Sequence, residues 1–439
     1  MVPSFRLLWL VVLVPFPVAV VSALISGTSL VSWLVITVCA IVAILDAVLG
    51  RVALDGIDLP TFPASQPVRM YKGREATFRM LLNNQSSKLK RLRIALDFPE
   101  SFERKEDEQF IQLPALPSSY AIEWTLTAQR RGRYFLDRCY LETGSPLGLW
   151  KKRVEKPIHL EILVYPNLRT PAGLLALRKG LAGVHAQRQV GQGREFEKLR
   201  EYAPGDAYDQ IHWKATARRA KPVTKIYQVE RTQEIYVILD SSRLSQRPID
   251  GESVLEHYIT AGLLLGAAAE SNGDLFGLAA FSDKIHGFVR ARNGKAHYAA
   301  CRDAIYQIHP NLVSPDFEEM ATFLRMRLRR RAMLIFLTQL DDPVIAESFA
   351  RATRMLGKQH LILAGVLSPL SLSPLFSRDD ASTVDDVYAR LASHTAWRGL
   401  EQTQIELRRQ GVRLTLLEPG TAVEQLVKLY GNAKQRQLL

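Results

Sequence analysis

At 439 residues, with 47% hydrophobic and 23% charged side chains, the chain is long enough for two or three domains with ordinary cores. Its formal charge of +13 favours an anionic partner: nucleic acid, the anionic inner face of a membrane or an acidic protein patch. Three widely separated cysteines, Cys39, Cys139 and Cys301, form no CxxC pair, which disfavours a disulfide framework or zinc site and fits a reducing compartment.

The first element is apolar. Residues 7–26, LLWLVVLVPFPVAVVSALIS, carry no charge. A helix rising about 1.5 Å per residue crosses a bilayer core of about 30 Å in such a length. Pro15 and Pro17 are tolerated in membrane helices. A second uncharged run, residues 30–45, ends at Asp46 and Arg51. Two spans joined by so short a loop predict a transmembrane hairpin over residues 1–51. Arg6 precedes the first span and Arg51 follows the second, with no charge between. The positive-inside rule then puts both ends, and everything after residue 51, in the cytoplasm. The competing reading is a cleavable leader ending at VSA, residues 21–23, which leaves the second span as an anchor.

Residues 52–167 change to period two. EATFRMLLNN (75–84), RLRIALDFP (91–99), AIEWTLTAQ (121–129) and RYFLDRCYLET (133–143) read as strands separated by NNQSS and LPALPSS. They predict a small antiparallel β-sandwich closed by the turn SPLGLW, residues 145–150. Residues 168–232 form a charged junction. From residue 233 to 439 strands and helices alternate: strands at 234–240, 274–282, 332–340, 360–367 and 412–419, helices at 252–271, 296–308, 316–331, 343–356 and 385–411, and a helical tail. That alternation predicts a doubly wound, largely parallel α/β domain covered on both faces. Ligands of such sheets sit at the carboxyl ends of the strands, here residues 240–242, 282–283 and 338–342.

Asp240-Ser-Ser242 at the end of the first of these strands is part of the D-x-S-x-S pattern that opens the metal site of a von Willebrand factor type A domain. A carboxylate and hydroxyls are hard oxygen ligands suited to Mg²⁺. Asp240 and Ser242 are present, Leu244 replaces the second serine, and Asp341 or Asp342 stands at a later strand end. This is a degenerate Mg²⁺ site, or an aspartate that hydrogen-bonds its own loop. The basic clusters RRAK (218–221) and RLRRRAM (327–333) lack interleaved aromatics, so a solvated face outweighs lipid contact, and no specific nucleic acid is expected. No nucleophile elbow or P-loop occurs.

In the junction, Pro204-Gly205-Asp206 makes a turn and Asp206 can cap a helix running to Arg218 and Arg219. Ile211 and Trp213 supply apolar packing. Asp206, Asp209 and His212 on one helix face are a weaker metal reading. The stretch LREYAPGDAYDQIHWKATARR resembles the signature of the bacterial family called domain of unknown function 58, through Gly205, Asp206, Ile211, Trp213, Ala217 and Arg218. RGRYFLDRCYLETGSPLGLW resembles its upstream element. Asp209 departs from the arginine usual in the family. The resemblance implies a von Willebrand factor A-like domain after the motif, a non-enzymatic protein of the bacterial inner membrane, and a MoxR-type AAA+ ATPase as partner, often beside a transglutaminase-like membrane protein. It implies a role in maturation of protein complexes or in envelope and stress functions. A metal-dependent enzyme and a nucleic-acid or anionic-lipid binder are the alternatives.

Overall fold

The computed structural model describes residues 1–24, 29–51, 57–58, 67–84, 91–113, 118–168, 190–191, 195–204, 208, 211–228, 233–368 and 383–435. The first apolar run is not one helix. It forms α1 (Phe5–Leu13) and α2 (Pro15–Leu24), divided at Val14. Pro15 and Pro17 have no N–H for the preceding turn, and the residue before a proline is pushed away from ideal helical backbone. The next helix, α3 (Ser29–Arg51), is uninterrupted. Its segment Leu30–Gly50 is, among the described residues, the one long and apolar enough to cross a membrane by length and composition.

The chain folds as two compact units, Met1–Asn167 and Leu168–Leu439. After α3 the first unit is a β-sandwich. Its strands are β1 (Val68–Tyr71), β2 (Glu75–Asn84), β3 (Arg91–Leu96), β4 (Phe102–Arg104), β5 (Glu108–Gln112), β6 (Ser118–Ala128), β7 (Gly132–Gly144) and β8 (Trp150–Tyr165). One sheet runs β8-β7-β3-β5, with β1 parallel to the end of β8; the other runs β2-β6-β4. Alternation sets the faces: Phe78, Met80 and Leu82 of β2 point inward and meet Trp124, Ile94, Leu141 and Ile162 in one core. Each such buried side chain contributes about 1.5–3 kcal/mol. The sequence predicts four of these strands. The longest, β8, is hidden by its basic start and by Pro157, next to which its register with β7 shifts.

The SPLGLW turn does more than close the sandwich. Asp46 of α3 is fully buried and accepts hydrogen bonds from Ser145 Oγ (2.5 Å) and the N–H groups of Leu147 (2.9 Å) and Leu149 (3.2 Å). The Trp150 indole N–H donates to the carbonyl of Ala43 at 2.8 Å. From the other end of the apolar sequence, Ser4 donates its hydroxyl to Gly148 O and its N–H to Leu149 O, and Val2–Pro3 pairs with the start of β8. Gly148 adopts φ +76°, the left-handed region that favours glycine.

The second unit begins with a small sheet in which β9 (Glu195–Glu201) pairs with β10 (Val223–Gln228), and the short α4 (Trp213–Arg219) lies between them in sequence. Then follow β11 (Glu234–Asp240), α5 (Val254–Ser271), β12 (Leu275–Phe281), β13 (Ile285–Arg292), α6 (Lys295–Ile305) and α7 (Phe317–Arg327). The remainder is β14 (Met333–Leu337), α8 (Pro343–Leu356), β15 (Leu361–Leu367), α9 (Val384–Arg409), β16 (Arg413–Leu417) and α10 (Ala422–Gln435). The sheet order is β13-β12-β11-β14-β15-β16. All neighbours are parallel except β13, an antiparallel edge strand that the sequence pattern does not separate from its turn. The apolar runs of β11, β14 and β15 are buried on both faces, against α5, α6 and α10 on one side and α7, α8 and α9 on the other. Strand order reverses between β11 and β14, which puts the crevice of a doubly wound sheet at the ends of those two strands.

Candidate functional site

Asp240 is the last residue of β11 and is fully buried at that crevice. Its Oδ1 accepts the N–H of Ser242 at 2.8 Å, and its Oδ2 accepts the hydroxyl of Thr338, just beyond β14, at 2.6 Å. Burial pushes its carboxyl above the usual range, while the hydrogen bonds from Thr338 and Ser242 pull it back. Ser242 turns its Oγ to the N–H of Leu244 and so caps a short 3₁₀ turn. Leu244 itself is buried in the core beside Phe281 and Phe317. Beneath lies Tyr258 of α5. Its hydroxyl donates to Thr338 O (2.8 Å) and accepts from Leu367 N–H (3.0 Å) and Gln339 Nε2 (3.1 Å), tying β14 to β15.

The two candidate aspartates after β14 have different tasks. Asp342 caps α8, accepting the N–H groups of Val344 (2.8 Å) and Ile345 (3.5 Å), with Pro343 in the first turn. Asp341 pairs through Oδ2 with Arg247, and its Oδ1 has no hydrogen-bond partner within the protein. Beside this pair lies a cavity of about 300 Å³ whose polar lining is Arg247, Asp250, Gln339 and Asp341.

These residues do not fit Mg²⁺. The ion needs about six oxygen ligands in near-octahedral array. Both oxygens of Asp240 already hold internal donors, Ser242 is committed to its turn, position 244 offers no oxygen and Asp341 is paired with a guanidinium. Among the described residues no group of three or more His, Cys, Asp or Glu side chains converges.

At the end of β12 the fold makes a pairing that the sequence does not announce. Ser282 Oγ lies 2.6 Å from His286 Nε2 and 2.7 Å from Asp283 Oδ1, and Asn311 Nδ2 lies 2.9 Å from the same histidine nitrogen. His286 is four residues on, in β13, so detecting it requires that edge strand. This is not a nucleophilic relay. Ser282 is fully buried, and the aspartate holds the serine instead of orienting the histidine. The Ser282 hydroxyl draws Asp283 below the usual carboxylate range.

Of the signature residues, Gly205 and Asp206 lie outside the described residues, as does Asp209. The helix expected from Asp206 begins at Trp213 instead, capped by His212, whose Nδ1 accepts the N–H of Ala215 at 3.1 Å. His212 is therefore engaged as a cap. Ile211 is buried and bridges to Thr224, as its packing role requires. Trp213 is 69% exposed, which corrects the expectation that it packs: as the first residue of a seven-residue helix it projects to solvent. Arg218 and Arg219 occupy the last turn, where cations suit the helix dipole, and are exposed. Arg327 ends α7 with its guanidinium over the Phe323 ring, and Arg329 and Arg330 are exposed beyond it.

The strand-end site and the signature fall in one stretch, residues 198–370, that matches the model of the family described as Protein of unknown function DUF58. The uncharacterized protein YeaD of Bacillus subtilis is 25% identical over 129 residues, 29% of this chain and 32% of the relative. The match thus spans about a third of that relative's length. Similar solved structures include the VWA domain of SpRpn10, at 10% identity over 45% of this chain and 95% of the other, with a TM-score of 0.28. An aerotolerance-related membrane protein from Bacteroides fragilis, bearing multiple mutations to serines, has 13% identity over 46% and 98%, with a TM-score of 0.30. The conserved hypothetical protein BatB from Bacteroides thetaiotaomicron has 12% identity over 46% and 99%, with a TM-score of 0.29. Likeness at this level says nothing of activity.

Proposed function

We propose that this protein is a non-enzymatic, membrane-anchored adaptor of the bacterial inner membrane, acting with a MoxR-type AAA+ ATPase in maturation of protein complexes or in envelope and stress functions. One observation carries the reading: at the crevice where a doubly wound sheet binds its ligands, Asp240 is locked by Ser242 and Thr338 instead of facing a substrate. Such a site holds a surface in one shape. The neighbouring Ser282–His286 pair is closed to solvent at the serine.

Finer features follow in the same reading. The domains are the hairpin (1–51), the sandwich (52–167), the signature junction (168–232) and a von Willebrand factor A-like domain (233–439). Support for the last is the order of its strands, which counted along the chain from β11 is 3-2-1-4-5-6 with an antiparallel third strand, and the Asp240-x-Ser242 ending of the first. Support for a two-pass hairpin is that Ser4 and Asp46, from its two ends, both bond the 145–150 turn. With Arg6 and Arg51 on that side, the soluble part is cytoplasmic. Exposed Trp213 and Arg218 make α4 a partner-facing surface, and a transglutaminase-like membrane protein is the second expected partner.

The test is co-purification of the full-length protein, in detergent, with a MoxR-type ATPase, with and without nucleotide and Mg²⁺. Association is expected in at least one nucleotide state. Its absence in all of them refutes the adaptor.

A further inference from the structure

We propose that the cavity beside Asp341 binds an alkylammonium group, either a free amine or the side chain of a lysine on a partner protein. This rests on the strand-end face being the binding face of the adaptor. The cavity, about 300 Å³, is at the small end of the range for ligand sites and large enough for a chain of four to six methylenes. Its walls are mostly apolar: Ile249, Val254, Leu367, Ala396 and Leu400. They come from the turn after β11, the start of α5, the end of β15 and the middle of α9, so the space exists only when all four elements are in place.

The polar lining selects the charge. Asp250 and Asp341 face one cation, Arg247, leaving one net negative charge. The Gln339 side-chain amide already donates to Tyr258 and to the Leu367 carbonyl. Asp341 gives Oδ2 to Arg247, while no protein group donates to its Oδ1. A ligand N–H entering the cavity can take that place on the carboxylate.

An anionic ligand would have to draw Arg247 away from Asp341. A neutral alcohol supplies a donor without the charge. An ammonium supplies both and adds to the existing pair, because an ionised carboxylate accepts at each oxygen. The same geometry favours ammonium over guanidinium. A guanidinium binds a carboxylate best as a two-pronged fork, and one prong's place on Asp341 is taken by Arg247. A compact ammonium needs only the remaining oxygen. Its methylene stem then lies against Leu367 and Leu400, as lysine stems do along apolar surfaces.

The experiment measures binding of n-hexylamine, n-hexanol and hexanoate to the full-length protein in nanodiscs by calorimetry. Hexylamine should bind at least tenfold tighter than hexanol, and hexanoate weakest. Asp341→Asn should weaken hexylamine at least tenfold. Leu400→Trp fills the cavity without touching a charge and should abolish binding, with its melting curve recording that the protein is folded. A peptide with an acetylated N-terminus and one lysine, set against its norleucine counterpart, separates the sources. Tighter binding than hexylamine identifies a partner's lysine, and weaker binding identifies a free amine. Equal binding of hexylamine and hexanol, or hexylamine binding that survives Leu400→Trp, overturns the proposal. ATPase co-purification is run on the same samples. No amine binding with the ATPase still associated removes the amine site alone; loss of both removes the adaptor as well.

Discussion

Thr338→Val is the sharpest perturbation of the strand-end site. Valine keeps the shape of threonine and removes only the hydroxyl, which donates to Asp240 Oδ2 at 2.6 Å. Asp240 is fully buried, so no water replaces the donor. An unsatisfied buried acceptor costs about 1–3 kcal/mol, more when charged. For a unit of this size each kcal/mol lowers the melting temperature by about 2–4 °C, so the expected drop is about 2–12 °C. The pH dependence has a definite sign. Burial holds the Asp240 carboxyl above its usual range, so its ionisation opposes folding, and stability falls as pH rises through the folded-state value. The lost hydroxyl favoured the ionised form, so Thr338→Val moves that value further up. The deficit should be greatest where wild-type Asp240 is ionised and shrink on acidification. Thermal unfolding of the full-length protein in detergent, with EDTA or with Mg²⁺, is the assay. A bound ion at 100 times its dissociation constant would add about 2.7 kcal/mol. Mg²⁺ should raise the melting temperature of neither protein. A Mg²⁺-dependent rise in wild type that Asp240→Asn removes, or a Thr338→Val protein as stable as wild type, refutes the reasoning.

Other predictions concern groups that hold each unit together. Burial alone would raise Glu142, but hydrogen bonds from Lys151, Arg153 and Arg93 bring it down to about 2. A depressed carboxylate stabilises above the unfolded value near 4.5, and that contribution is lost as pH falls through 2. Screening at the exposed Arg153 leaves roughly 1–3 kcal/mol, and urea unfolding of Glu142→Gln should lack wild type's loss of stability across this window. Asp46→Ala removes the acceptor of the Leu147 and Leu149 amides, whose hydrogen exchange should speed up at least tenfold relative to wild type. Asp274 is buried and accepts from Tyr430 (2.5 Å) and Lys434 (2.8 Å) of α10; Asp274→Ala should cost about 3–5 kcal/mol and expose α10 to limited proteolysis.

How much of the fold was legible depended on whether the signal was local. The apolar runs of β11, β14 and β15 and the capped helices between them stand in sequence almost at their observed bounds, because a strand buried on both faces must be apolar throughout. β2 and β7 were equally plain through alternation. What escaped was set by tertiary context. β8 opens with two lysines and an arginine, of which Lys151 and Arg153 pair with Glu142 across the sheet, a reason visible only once β7 lies beside it. Asp46 reads in sequence as the charge that ends an apolar run; that it is the buried acceptor for a turn a hundred residues later follows from no local pattern. Trp213 reads as core for the same reason, since hydrophobicity says nothing of which side of a seven-residue helix has a neighbour.

Asp240 shows how a sequence pattern can be right about position and misleading about chemistry. The strand end, the carboxylate and the first serine are where a metal-binding loop would have them. The deciding residues are the other two. Leu244, where the pattern asks for a hydroxyl, packs among Phe281 and Phe317, so its side chain belongs to the core. Thr338, which the pattern does not specify, supplies the hydroxyl from just beyond β14 and closes on Asp240 directly. The Thr338 hydroxyl and the Ser242 N–H satisfy the Asp240 carboxyl from within the fold, without a cation. The two residues therefore act together: one withdraws a ligand and the other satisfies the charge that the ligand set was built to place. Restoring only the serine, Leu244→Ser, should accordingly create no Mg²⁺ site while Thr338 keeps its bond to Asp240, and it should lower stability by about 2–5 kcal/mol through the cavity left in the core.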